Sequence, residues 1–273
     1  EGAGVVLETA PDVTAFAPGD QVMGLMEGAF GPIAVADARG LAPLPTGWTF
    51  QQAAAAPIAY LTAWYGLIDL ADLQPGENLL IHAATGGVGT AALHIARHLN
   101  AHIHTTAHPD KHHILENLGI DTEHRASSRT LDFEDTFRTT TDEHGMHVVL
   151  NCLTGEYLDA SLRLLTQGGR FIEMGKTDIR DPRQIAAQYP GVTYHSYDLV
   201  TAAGLDRIAE ILTTLTHLFT QGTLPPLPTT TWPLTQARHA LRHMSQARHT
   251  GKLVLDIPPT LDPNGTILIT GGT

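Results

Sequence analysis

Several ordinary ingredients are scarce or missing in this 273-residue chain, and each shortage removes a class of function. There is one cysteine, Cys152, which excludes an intrachain disulfide and any zinc site built from several thiolates. A reducing compartment fits, and we expect a cytoplasmic protein. Basic side chains are few: 16 Lys and Arg stand against 28 Asp and Glu, for a formal net charge of −12. Such a surface repels phosphate backbones, so nucleic-acid binding is not expected. No apolar run approaches the roughly 18 residues of a membrane span, and no charged-then-apolar leader opens the chain. The 16 histidines are scattered, not set at metal-ligand spacing. No metal is expected.

What remains is ordinary soluble composition, 42% hydrophobic with 26 glycines and 17 prolines, long enough for one to two domains. Residues 1–55 are short apolar runs ("GVVLE", "DQVMGL", "IAVAD") broken by Gly and Pro, a texture of small antiparallel β-structure. Residues 56–200 alternate strands with helices: "NLLIHAA" (78–84) then "VGTAALHIARHL" (88–99), "AHIHTTA" then "KHHILENLG", "HVVLNCL" (147–153) then "YLDASLRLL" (157–165), and "GGRFIEMG" (168–175). That alternation implies βαβ units and a parallel sheet, hence an α/β fold. Residues 201–256 carry the helices "LDRIAEILTTLTHLF" and "TQARHALRHM" and the strand "KLVLDI", and are expected to return to the first zone. Residues 257–273 read as a Pro-rich linker, "IPPTLDPNG", and a strand with a Gly-rich turn, "GTILITGGT". That last strand opens a following domain or closes this chain's own sheet. Both ends read as cut, the first inside an apolar run without a start methionine.

The sharpest motif is "HAATGGVG" at 82–89, where a strand turns into a helix. Gly86 and Gly87 permit a tight turn and close backbone approach to a pyrophosphate. Gly89 lets the helix lie on the strand, and the helix start offers free N–H groups to the anion. The spacing A-x-x-G-x-x-G is weaker than G-x-G-x-x-G, and a plain Gly-rich turn is the alternative. An NAD site tends to carry Asp or Glu at the end of the next strand. Here that stretch is "TTAHPDK", with Asp110 too far into the turn and Lys111 following. A cation favours a 2′-phosphate, hence NADPH, and Arg129 can add charge if its loop folds back. Both are otherwise exposed surface charges.

At this point the chain strongly resembles the enoyl reductase domains of modular polyketide synthases, within the medium-chain dehydrogenase/reductase superfamily. The resemblance runs over about residues 1–256. It is carried by "GDQVMGLMEGAFG" (19–31), "AAAAPIAYLTAWYGL" (53–67), "LQPGENLLIHAATGGVGTAALHIARHL" (73–99), "SSRTLDFEDTFR" (127–138), "VVLNCLTGEYLDASLRLLTQGGRFIEMGKTDIRD" (148–181) and "MSQARHTGKLVLDIP" (244–258). It implies a Rossmann-type parallel sheet inserted in a GroES-like, β-rich substrate domain that lacks its N-terminal part here, and a ketoreductase-like unit starting within 257–273. It implies NADPH-dependent reduction of a trans-α,β-unsaturated thioester on an acyl carrier protein, without zinc. A free-standing NADPH quinone or enone reductase on the same fold is the alternative.

Lys176 follows "RFIEMG" at the carboxyl end of a strand, where α/β sheets place ligands, and Asp198 lies 22 residues on. The resemblance makes this pair the catalytic candidates, with Lys176 donating a proton and Asp198 orienting it or relaying from water. A structural ion pair is the alternative. A tyrosine used as donor by some family members lies upstream of Glu1, which leaves the donor open. The resemblance also implies cofactor contacts at Thr62, Ala84, Val88, Asn151, Leu153, Met174, Gly175, Gly251 and Lys252. Cys152 reads as packing, having no His–Asp partner set.

Overall fold

The computed structural model describes residues 1–258. The expected linker and following strand lie beyond them, apart from the first two linker residues.

Three short strands, β1 (Gly2–Val5), β2 (Gln21–Gly24) and β3 (Leu41–Pro43), form an antiparallel sheet in the order β1-β2-β3. The expected strand "IAVAD" does not form. Its one ladder contact is an isolated bridge, Glu27 to Val35, and Ile33 and Val35 stand 65% and 85% exposed. Gly31 and Pro32 directly precede the run, and its apolar residues have no facing strand to pack on.

Helix α1 (Phe50–Ala55) starts with a capping box: Thr49 Oγ1 accepts from Gln52 N, and Gln52 Oε1 accepts from Thr49 N. Pro57 then opens α2 (Pro57–Trp64), where its missing N–H costs nothing. The chain continues in one π-helical turn, Tyr65–Leu70.

From Asn78 onward strand and helix alternate. The strands are β4 (Asn78–Ile81), β5 (His102–Ala107), β6 (Arg125–Ser127), β7 (Met146–Asn151), β8 (Leu165–Glu173) and β9 (Thr193–Ser196). They make one parallel sheet, β6-β5-β4-β7-β8-β9. The crossovers carry α3 (Gly87–His98), α4 (His112–Asn117), α5 (Phe133–Thr140), α6 (Glu156–Arg163) and α7 (Pro182–Gln188). The apolar strands supply both faces, as a parallel sheet requires. Leu79, Ile81, Leu150 and Ile172 face α2, α3 and the long helix that follows β9; Leu80, Val149 and Phe171 face Phe133, Phe137, Leu158 and Ile185.

That long helix, α8 (Leu199–Thr220), begins six residues before its expected start. Gly204 has φ 71° and ψ 162° and breaks it, so the apolar periodicity read from Leu205 onward is its second piece. Asp198 caps the first piece, which no 3.6-residue pattern announces. Strands β10 (Thr229–Pro233) and β11 (Lys252–Asp256) pair in parallel, with α9 (Ala237–Ser245) between them. This last zone meets the first through Arg39–Asp206 (2.9 Å), Gln51–Asp256 (3.1 Å) and a Lys252–Glu1 ion pair. No helix among the described residues is long and apolar enough to cross a membrane.

The strand order reverses direction at β4: the chain steps outward to β5 and β6, then returns to β7 on the other side. Open α/β sheets leave a crevice at the carboxyl edge of such a point.

Candidate functional site: a cleft at the carboxyl edge of the sheet

Strand β4 is followed directly by buried His82, whose ring is held by two hydroxyls, Thr106 Oγ1 on Nδ1 and Ser161 Oγ on Nε2, both at 2.8 Å. Ser161 gives its own proton to Tyr157 O (2.7 Å), so Nε2–H donates to Ser161 and Nδ1 accepts from Thr106. Burial pushes this imidazole down to about 3, and it stays neutral. The turn that follows passes through Ala83 at φ 50° and closes with Gly86 N on Ala83 O (2.9 Å). A Cβ on Gly89 would lie 2.5 Å from Ala83 O and 2.6 Å from Ala84 Cα, so only glycine lets α3 start this close to the strand. The first N–H groups of α3, from Gly87 to Gly89, have no intrahelical acceptor and face the crevice end of the helix.

The start of β11 closes over this turn. Gly251 N donates to Thr85 O (2.9 Å), Gly251 bridges Gly86, and the Lys252 stem lies over Gly87. Gly251 has φ 63°, and a Cβ there would collide with Pro228 O.

Beyond β5, Lys111 reaches back to the segment before β11: Nζ donates to Ala247 O and His249 O, both at 2.7 Å. Burial pulls the Lys111 pKa down, and the Arg129 guanidinium nearby pulls it further. His249 is likewise lowered by burial, then by Lys111, His243 and Lys252. The two expected cations are thus near enough for their charges to interact, and His249, held toward its neutral form beside Lys111, is a neighbour that sequence reading missed. Asp110 is turned to His108, 3.6 Å away, and stays exposed.

At the other end of the crevice lies a cleft of about 440 Å³, lined by Ile58, Thr62, His82, Ala83, Gly86, Val88, Gly89, Cys152, Met174, Lys176, Tyr197, Asp198, Leu199 and Val200. Lys176 Nζ donates to Tyr197 O (2.8 Å) and Asp198 Oδ2 (3.1 Å). Both side chains are more than half exposed, 56% and 57%. The Lys176 ammonium, then the Thr201 N–H, hold the Asp198 carboxyl below its usual range. Tyr197 is buried, its phenol raised by desolvation and donating to Thr62 O (2.7 Å). The π-helical turn begins three residues after Thr62, and Gly66 within it makes room for that phenol. Cys152 lines the same wall, its thiol pushed up to about 11 by burial and by Glu173.

Of the residues expected from the sequence, Thr62, Gly86, Val88, Gly89, Met174, Lys176 and Asp198 come together around this one cleft. Ala84 and Gly87 belong to its turn; Gly251 and Lys252 cover that turn. Asn151, Leu153 and Gly175 are not among the residues that line the cleft. The Asn151 amide is engaged internally, donating to Leu153 O (2.8 Å) and Glu173 Oε2 (2.6 Å). Ile58, Tyr197, Leu199 and Val200 were not anticipated; the aromatic beside Asp198 in "YHSYDL" was the one signal that could have pointed there. The residues fit a dinucleotide: a glycine cradle a Cβ would fill, a helix start for the pyrophosphate, and cations at the adenosine end. Among the described residues, no group of three or more His, Cys, Asp or Glu stands together to hold a metal.

A family profile described as zinc-binding dehydrogenase matches residues 118–255. Superposed on the crystal structure of CurK enoyl reductase, the chain gives a TM-score of 0.86 with 38% identity, covering 94% of this chain and 77% of that one. The chain belongs to the enoyl reductases of polyketide synthases, in the medium-chain dehydrogenase/reductase superfamily. The CurF ER cyclopropanase from the curacin A pathway gives a TM-score of 0.89 with 34% identity, over 94% of this chain and 77% of that one. In sequence, 57% of residues match the pikromycin polyketide synthase component PikAII of Streptomyces venezuelae, over 100% of this chain and 7% of that protein. The chain thus spans a small part of such multienzymes.

Proposed function

We propose that this chain reduces the double bond of a trans-α,β-unsaturated acyl thioester, carried on an acyl carrier protein, using NADPH. The observation that carries this reading is the single cleft that joins the glycine turn of α3 to the Lys176–Asp198 pair. NADPH, when bound, supplies a hydride to the β-carbon. The chain's residues then have three tasks: hold the cofactor, meet the charge that develops on the thioester oxygen, and deliver a proton to the α-carbon.

Holding falls to Gly86, Gly87, Val88 and Gly89 with the start of α3, to Ala84, Thr62, Met174, Gly175 and Leu153 along the strand ends, and to Gly251 and Lys252 above the turn. Asn151 acts here through the backbone of Leu153. Lys111 and Arg129 face the 2′-phosphate. An ammonium has three N–H donors, and Tyr197 O and Asp198 take two of Lys176's. The third is free for the substrate, as a proton source or as a charge beside the oxygen. Asp198 anchors that ammonium and caps α8 at once, so the cation is aimed by a helix start.

The division we propose is a nucleotide-binding unit at 56–200 between two parts of a substrate domain, 1–55 and 201–256. The chain works among other domains of a cytoplasmic synthase, with a ketoreductase beginning within 257–273. Mixing the protein with NADPH and a crotonyl thioester, and following NADPH absorbance, tests the reading. Oxidation with the thioester supports it. Oxidation with a quinone alone supports the free-standing reductase instead.

A further inference from the structure

Glu173 is the last residue of β8 and is 1% exposed, yet it forms no salt bridge among the described residues. The nearest guanidinium, Arg180, is committed to Asp178 (2.7 Å) and Asp159 (3.3 Å). The Glu173 carboxylate folds back under its own strand end, with Oε1 accepting from Gly175 N at 2.5 Å and Oε2 from Asn151 Nδ2 at 2.6 Å. Asn151 ends β7 and ties down Leu153 through both its amide atoms. Glu173 O accepts from Tyr197 N (3.3 Å), and Tyr197 O accepts from Lys176 Nζ. A ring of contacts thus runs from β7 through β8 to the end of β9, with one buried carboxylate at its centre and Lys176 at its rim.

From this placement we infer that Glu173 is a positioning residue, whose carboxylate fixes the Met174–Lys176 turn so that the ammonium meets the substrate. The inference rests on the enoyl reductase reading above.

The chemistry favours an anion at this position over any neutral group. Both partners present N–H, so each oxygen must accept, and an amide in its place would set an NH₂ against one of them. Burying a charge costs several kcal/mol and is tolerated where charge-assisted hydrogen bonds offset it. A Cβ on Gly175 would sit 2.6 Å from Oε1, so this carboxylate position requires glycine at 175. Desolvation draws the carboxyl above its ordinary range; the Asn151 and Gly175 hydrogen bonds oppose it in part, Asp178 adds to the shift and Arg180 subtracts from it. The other titratable groups against it are Cys152 after β7 and Tyr194 on β9. Protonation would place an O–H against an N–H and release one side of the clamp. The active form is therefore the ionised one, and turnover should fall on the acid side through a raised carboxyl pKa.

Glu173→Gln in the full chain tests this, with wild type alongside. We expect kcat lower by about tenfold to a hundredfold with thioester KM little changed, NADPH binding weakened by less than kcat, through Gly175 and the Asn151–Leu153 contact, and loss of the acid limb of the kcat–pH profile at saturating NADPH. Amide hydrogen exchange at Gly175 should accelerate in the variant, a readout independent of turnover. Glu173→Asp keeps the charge but is one methylene too short for both donors; it should show an intermediate kcat and keep the acid limb. Wild-type kcat, pH profile and Gly175 exchange in Glu173→Gln would overturn the clamp; so would a kcat loss no larger than the loss of folded protein. If wild type itself leaves the enoyl thioester unreduced, the enoyl reductase reading fails. Gly175 exchange then still judges the clamp.

Discussion

A lysine and an aspartate in contact can be a structural pair or a working one, and their exposure sets what the structural reading can contribute. Each side chain is more than half open to solvent, so their attraction stabilises the fold by only about 0–1 kcal/mol. Lys176→Ala should therefore leave thermal stability nearly unchanged while lowering kcat about a hundredfold, the scale of a lost general acid. Asp198→Asn should cost less in turnover and add a small loss of helix-cap stability. Unfolding curves beside turnover measurements separate the two effects. The same logic applies at the adenosine end. Arg129→Ala should weaken NADPH binding about tenfold while leaving NADH nearly unaffected, and Lys111→Ala should weaken NADPH more than NADH, because only NADPH carries the 2′-phosphate. Titration with both cofactors checks it. For Lys111 part of the loss would come from freeing the Ala247–His249 segment it holds. Assays containing Arg129→Ala alone isolate the charge.

At the scale of elements, the middle of the parallel sheet was legible because β4 and β7 are apolar runs buried on both faces and set between helical stretches, whereas the edge strands β6 and β9, short and polar, were not. The nucleotide turn was legible because glycine is demanded there by close approach, as Gly89 shows against Ala83 O. The first turn of α8 was not, since it is set by Asp198 and broken by Gly204 without any apolar repeat. Tyr197 and Glu173 escaped for a similar reason: their roles come from three strand ends meeting in space. Histidines inside the elements carry a further consequence. His104 in β5 is buried between Phe137 and His124 with neither ring nitrogen hydrogen-bonded, and burial pushes it down to about 4 from 6.5. His82 and His94 are lowered to about 3 and about 4 for the same cause. Below 6.5 the unfolded chain takes up protons that the folded chain refuses, so stability is intact above that value and falls as pH drops toward about 4. His104→Phe should remove two unpartnered polar atoms and flatten this acid limb. The difference between the unfolding free energies measured by denaturant at about pH 7 and about pH 5 should shrink by about 2 kcal/mol relative to wild type.

At the scale of the whole molecule, the acidic surface and the local basic end are complementary facts. Against a net charge of −12, Lys111 and Arg129 stand close enough for their charges to interact. The family profile carries zinc in its description, but the candidate chemistry of this chain runs through an ammonium. Incubation with a strong chelator followed by gel filtration should leave NADPH oxidation within experimental error of the untreated enzyme. Metal analysis of the active fraction should find no stoichiometric zinc. Loss of activity on chelation, restored by added zinc, would overturn that part of the account. The most direct measurement of the central claim is a single-turnover experiment, in which NADPH-loaded protein is mixed rapidly with a crotonyl thioester of a pantetheine mimic. The account predicts a first-order loss of NADPH absorbance and formation of the saturated thioester, both slowed about a hundredfold in Lys176→Ala at unchanged NADPH occupancy. Full NADPH occupancy with no absorbance loss in the wild-type protein would contradict it.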